Sequence, residues 1–234
     1  MCGRYSLAVS PEELEEIFEA PVAGLVTLPR WNIAPTQDAP VVTVGRDGER
    51  RIVPLRWGLV PYWADDPTVG TRHINARAET APTTAAFRDA FVRRRCLVPA
   101  DGFYEWQQQG GRKQPWWIHH RRGGLLAFAG LRERWQPRSG GEPMHTFTIL
   151  TTMPNGTVAP LHDRMPVVLE PKDWAAWLDP ATPAELVRSL LGPAPEALLE
   201  ARPVSSFVNR VDNDDARCVE PAPPPELLDL FEGR

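Results

Sequence analysis

The sequence predicts an α+β fold, a twisted antiparallel, barrel-like β-sheet core carrying peripheral helices. Strand-like apolar stretches are many and separated by short turns, and segments with helical spacing are few. No linker-like run divides the 234 residues, so one domain spanning 1–234 is expected, with 221–234 as an irregular, Pro-rich tail. Hydrophobic residues make up 42% and charged residues 24%, a balance that lets a chain of this length bury a substantial core.

A short strand opens the chain. Ser10-Pro11-Glu12-Glu13 then reads as a capping box with Pro at the first helical position, and Leu14, Ile17 and Phe18 continue a helix over 11–20. Residues 31–36 read as irregular, and 40–44 and 51–57 as a strand pair around a Gly-containing turn. A loop presents Tyr62 and Trp63, either to bases or to the edge of the core. A helix is expected over 83–93, with Arg93-Arg94-Arg95 as its solvated end, followed by a strand over 95–99 that buries Cys96. Residues 101–106 read as a strand, 107–114 as a turn, and 115–120, 125–131, 146–151 and 167–169 as further strands. Helices are expected over 171–178 and from a second capping box at Thr182 to 191, a strand over 204–208, and a polar loop at 212–215 that lacks the spacing of a calcium loop.

The net charge of −4 gives no global signal for nucleic acid. Of the 26 basic residues only Lys113 and Lys172 are lysines. Arginine suits bidentate phosphate contacts, and genome base composition produces the same bias. Lys113 falls in the Gly-rich turn and Lys172 at a helix start, so imine chemistry here would fall to the α-amine instead of a lysine. Cys2, Cys96 and Cys218 are far apart and form no Cys-x-x-Cys pair, so free thiols are expected and neither a metal nor a cofactor. No apolar run approaches the roughly 20 residues of a membrane span, and no signal peptide is indicated. The expected location is the cytoplasm and nucleoid of a bacterium, or the nucleus of a eukaryote.

Four segments carry chemistry. In Met1-Cys2-Gly3-Arg4, removal of Met1 leaves Cys2 with an α-amine and a thiol on adjacent carbons. The amine forms an imine with an aldehyde, and the thiol closes on it as a five-membered thiazolidine. The same residue can serve as an N-terminal nucleophile in acyl transfer, or simply as a small apolar residue before a strand. Strand alternation in Gly102-Phe103-Tyr104-Glu105-Trp106 puts Phe103 and Glu105 on one face. Burial there raises a carboxyl toward the catalytic range; an edge position facing water is the other reading. Leu161-His162-Asp163-Arg164-Met165-Pro166 offers His162 as an acid or base, or as a structural histidine. Ile74-Asn75-Ala76-Arg77-Ala78-Glu79 is dense in polar groups around a short apolar beat.

Together, and in this order, the four segments closely resemble the SRAP family, the SOS-response-associated peptidases, also called abasic-site processing proteins. Trp31-Asn32-Ile33-Ala34-Pro35 and Trp57-Gly58-Leu59-Val60-Pro61 resemble two more of its blocks, and the likeness runs from residue 2 to about 215. The resemblance implies an SRAP-like barrel and a protein that binds single-stranded DNA and junctions with duplex. It implies that processed Cys2 crosslinks to the aldehyde of an abasic site, with Asn75, Glu105 and His162 as companions. Arg77 and Arg4 would hold phosphate, with Arg164 as a further DNA contact. Trp63 stands where the family packs an aromatic against separated bases, although Tyr62 and Ala64 flank it in place of a second Trp. Met1 removal by the same site, lyase side activity and crosslink reversal follow as expectations. A monomer is expected, and no protein partner is indicated. The alternatives are an N-terminal-nucleophile cysteine hydrolase or peptidase acting in trans, and a non-catalytic nucleic-acid-binding module.

Overall fold

The computed structural model describes residues 2–45 and 47–223. The tail expected over 221–234 therefore lies outside the described residues from 224 onward. The chain contributes strands β1 (Tyr5–Leu7), β2 (Arg30–Ile33), β3 (Asp38–Val44), β4 (Arg50–Trp57), β5 (Asn75–Arg77) and β6 (Arg95–Ala100). It continues with β7 (Gly102–Gln109), β8 (Arg112–His120), β9 (Leu126–Trp135), β10 (Met144–Thr152), β11 (Met165–Pro166) and β12 (Leu199–Pro203). The helices are α1 (Pro11–Phe18), α2 (Arg88–Arg93), α3 (Trp174–Leu178) and α4 (Ala184–Ser189).

The expected α+β, barrel-like architecture is present. Strands β10-β4-β3-β6-β9 close on themselves because β9 pairs back to β10. The β10–β4 pairing is parallel and the rest of the ring is antiparallel, so the barrel is mixed. Strand β5 adds to β10, also in parallel. A second, antiparallel sheet runs β12-β8-β7-β1-β2, with β1 between β2 and β7. Tyr5 and Phe103 of that sheet pack edge-on against Phe128 of the barrel at 6.2 and 5.9 Å between ring centres. Each such fully buried aromatic contributes about 1.5–3 kcal/mol from area alone, so this seam fixes the sheet to the barrel. On the other face of β7, Tyr104 and Trp106 join a separate cluster with Val204, Val208 and Cys218.

Several local expectations hold. Ser10 accepts from the Glu13 amide and Glu13 answers to the Ser10 amide, forming the first capping box. Cys96 is fully buried.

Other expectations need correction. Residues 30–33 are strand β2, because their partner β1 is supplied from far away in sequence. The helix expected over 83–93 shortens to α2, preceded by turns. Arg95 is not solvated. It is 6% exposed and donates to the carbonyls of Phe91, Val92, Trp177 and Asp179, serving the otherwise unpaired ends of α2 and α3. The second capping box does not form; the residue before α4 is Pro183, with no side-chain cap. The late strand is β12 at 199–203, and 206–209 coil into a 3-10 turn. The turn expected over 107–114 is a two-residue hairpin at Gly110-Gly111, whose φ values of +53° and +86° favour glycine. Strands β7 and β8 therefore run on past Trp106, with Gln108 opposite Lys113.

Candidate active site

Cys2 lies three residues before the start of β1 and is completely buried. Two neighbours hold it. The amide of Tyr104 donates to the Arg4 carbonyl at 3.0 Å, registering the segment against β7. From the other side, Nδ2 of Asn75 donates to the Cys2 carbonyl at 2.7 Å. Asn75 starts β5, whose position is set by parallel pairing to Ile149 and by Trp57, whose indole donates to the Ile74 carbonyl at 2.7 Å. Oδ1 of Asn75 is buried and accepts no hydrogen bond among the described residues, leaving an open acceptor on the amide that grips Cys2.

Glu105 sits on the core side of β7, only 4% exposed. Burial pushes its carboxyl up to about 7, against the opposing pull of the positive amino terminus. The desolvated face read from strand alternation is thus the one observed. Burial also pushes the Cys2 thiol well above its ordinary range, and the Glu105 charge adds to that. Cys2 is therefore a neutral thiol at rest, with a carboxyl beside it poised to move a proton.

His162 lies on a turn over residues 158–162, fixed by Asn155. The Asn155 carbonyl oxygen of the side chain accepts from the Val158 amide at 3.1 Å, while its Nδ2 donates to the Ala194 carbonyl at 3.0 Å. Nδ1 of His162 accepts from the Arg164 amide at 3.0 Å and also stands 2.8 Å from the Asp163 carboxylate. One nitrogen cannot accept from the first and donate to the second at once. Burial lowers the His162 pKa, so at neutral pH the ring is uncharged, Nδ1 accepts and Nε2 carries the proton. A protonated Nδ1 donates to Asp163 instead.

Glu105 and His162 open onto one groove of about 510 Å³, lined also by Arg4, Trp106, Lys113 and Asn209. Arg4 is committed to the protein. Its Nη1 donates to Asn32 at 2.7 Å and to the Val208 carbonyl at 3.0 Å, and its guanidinium lies over Trp106 at 5.6 Å. Arg164 is likewise engaged, forming a two-pronged pair with Glu79 at 2.9 and 2.8 Å and donating to the Thr151 carbonyl. Arg77 ends β5 with its side chain exposed and with no hydrogen-bond partner among the described residues. Trp63 is 50% exposed on a loop tethered through the Ala64 carbonyl to the Trp135 indole at 2.7 Å, and it does not line the groove.

The model for SOS response associated peptidase (SRAP) matches residues 1–211. The chain belongs to the SRAP family. It is 40% identical over 225 residues to the abasic site processing protein YoqW of Bacillus subtilis, covering 94% of this chain and 99% of that protein. To the abasic site processing protein YedK of Escherichia coli it is 28% identical over 228 residues, covering 94% of this chain and 100% of that one. A crystal structure of a Bacteroides thetaiotaomicron protein matches with a TM-score of 0.86 at 25% identity, covering 95% of this chain and all of that chain.

The SRAP site contains groups that sequence reasoning did not single out. Asn32 is fully buried and donates to the carbonyls of Val208, Arg210 and Asn213, tying the late chain under Arg4. Asp214 accepts from the amides of Trp31 and Asn32 and pairs with Arg30. Asn209 accepts from the Trp106 indole at 2.7 Å on the groove wall. The Asn155-Gly156 step carried a turn signal; the roles of Asn32, Asp214 and Asn209 depend on bonds across 103 to 183 residues that no local pattern marks.

Proposed function

We propose that this SRAP chain processes abasic sites in DNA by covalent capture, with Cys2 as the nucleophile once Met1 has been removed. The observation that carries the reading is the grip of Asn75 on the Cys2 carbonyl at 2.7 Å, beside a carboxyl that burial holds near 7. The names of the SRAP relatives, abasic site processing proteins, supply the substrate class.

In this reading the open-chain sugar presents its aldehyde to the Cys2 amine. Glu105, in its ionised form, takes the proton that makes the amine nucleophilic, and the open Oδ1 of Asn75 receives one of its N–H groups. The amine nitrogen bonds to C1′ and water leaves, giving an imine. The thiol sulfur then bonds to C1′ while its proton passes to the nitrogen, closing the thiazolidine. His162 assists opening of the sugar ring by proton transfer at the ring oxygen. Protonated Glu105 reverses the sequence by returning a proton to the ring. Loss of the acidified C2′ proton from the imine, with departure of the 3′ phosphate, is the lyase side route that ring closure suppresses. The Cys2–Glu105 pair also fits removal of Met1 by the chain itself. The substrate in this reading is single-stranded DNA or its junctions with duplex, seated at the groove lined by Glu105 and His162.

Intact mass with and without a single-stranded oligonucleotide bearing one abasic site tests this. The expected spectrum lacks Met1 and gains the oligonucleotide mass less one water. Cys2→Ser, which keeps the amine, is expected to lose the durable adduct and gain strand cleavage. A Cys2→Ser chain that crosslinked as durably as wild type would remove the thiazolidine step.

A further inference from the structure

The extended β7–β8 hairpin puts Lys113 at the groove, although its Gly-rich surroundings read from sequence as a remote turn. The close Gly110-Gly111 turn keeps both strands paired to their ends, and the register sets Lys113 opposite Gln108. Gln108 is three residues along β7 from Glu105, roughly 10 Å at strand rise, so alternation puts Lys113 on the Tyr104–Trp106 side of the hairpin, at the groove's edge and not on the Glu105 face. Lys113 lines the same groove as Glu105 and His162. Its side chain is exposed and has no hydrogen-bond or ion-pair partner among the described residues.

The surrounding charges narrow what Lys113 can do. Arg4 is spent on Asn32, Val208 and Trp106, and Arg164 on Glu79 and Thr151. The other lysine, Lys172, pairs with Glu170 at 3.3 Å. Glu105 is the anion in the groove lining, and burial keeps it largely protonated below about pH 7. Lys113 is thus an uncommitted cation at a groove whose lining includes Glu105 and whose His162 stands 2.8 Å from the exposed Asp163 carboxylate. Exposed Arg77 stands two residues after Asn75, which holds Cys2, on β5. It is a second cation with no hydrogen-bond partner among the described residues.

We propose that Lys113 is a phosphate-positioning residue: it holds the phosphodiester next to the lesion and so sets the register in which the open sugar reaches Cys2. This rests on the reading of the site as one for abasic DNA. An ammonium on a flexible stem binds phosphate as a point charge. Its contact is worth a released counterion and not a hydrogen-bond geometry, so arginine can replace it.

The test compares the wild-type chain with Lys113→Ala and Lys113→Arg. Adduct formation with a single-stranded abasic oligonucleotide is followed across DNA and salt concentrations, and binding of the same oligonucleotide without the lesion is measured in parallel. Lys113→Ala is expected to raise the half-saturating DNA concentration several-fold. Its slope of log affinity on log salt should be shallower by about 0.7, the amount for one single-strand phosphate. Lys113→Arg should restore both. A salt slope unchanged by Lys113→Ala overturns the proposal. So does a borohydride-trapped adduct in Cys2→Ala that disappears on adding Lys113→Arg, because that makes the lysine an imine-forming amine. If wild type forms no adduct at all, the reading of the site fails, and the lesion-free salt slopes still decide the role of Lys113.

Discussion

Asn75 holds Cys2 by its backbone: the side-chain amide donates to the Cys2 carbonyl at 2.7 Å across 73 residues of sequence. The bond fixes Cys2 through its carbonyl, while the thiol donates to the Arg4 carbonyl at 3.8 Å. It also leaves Oδ1 of Asn75 as an unfilled buried acceptor. Asn75→Ala should therefore slow adduct formation by about 10–100-fold through lost orientation, with DNA affinity nearly unchanged. Measured rates at saturating abasic oligonucleotide decide it. A rate equal to wild type would show that β1 pairing alone positions Cys2.

Glu105 makes a pH-dependent contribution to stability. In the fold it keeps its proton up to about pH 7, whereas in the unfolded chain it ionises from about pH 4.3. Between these values the native state binds more protons than the unfolded state, so stability falls as pH rises. The loss is complete above the folded value and amounts to roughly 4 kcal/mol. Glu105→Gln lacks this term. Its melting temperature should match wild type near pH 4 and exceed it above pH 8, and parallel melting curves across that range would show that the carboxyl is not desolvated.

The same titration bears on the proposed reaction. There capture uses ionised Glu105 and reversal its protonated form, so the capture rate should rise through about pH 7 and the reversal rate should fall through it. Stopped-time gels of adduct formation and of release into excess competitor would show the two limbs crossing. Glu105→Gln should flatten both, and a retained capture limb in that variant would assign the base to another group.

Arg77 and Arg164 differ in what they hold. Arg164→Ala breaks the pair to Glu79 and the bond to the Thr151 carbonyl. It is expected to lower stability by about 1–2 kcal/mol, while the salt dependence of DNA binding stays as in wild type. Arg77→Ala should leave the melting temperature alone and reduce the salt slope by about 0.7. Reversed outcomes would exchange the two assignments.

Much of this was written locally. The alternation of Phe103, Tyr104, Glu105 and Trp106 fixes which side chains face the core, since a strand has a period of two. The Ser10–Glu13 box fixes where α1 starts, because both halves of the motif lie within one turn. The reactive pair on Cys2 is a covalent property of its place in the chain. Long-range pairing was not readable in this way. Residues 30–33 become β2 only because β1 is there to pair with them, and the barrel closes only through the β9–β10 and β10–β4 registers. Arginines looked alike in the sequence. Asn32 and Glu79 decide that Arg4 and Arg164 are held, while Arg77 is not.

The sequence by itself determined that Phe103 and Glu105 share one face of their strand, and it supplied Cys2, Asn75 and His162 as candidates, because these follow from strand periodicity, residue type and short motifs. Tertiary structure alone decided that Asn75 reaches Cys2, that Lys113 stands at the groove and which cations remain uncommitted. Those outcomes depend on contacts between residues far apart in the chain, and such contacts exist only once the barrel and the second sheet have packed together.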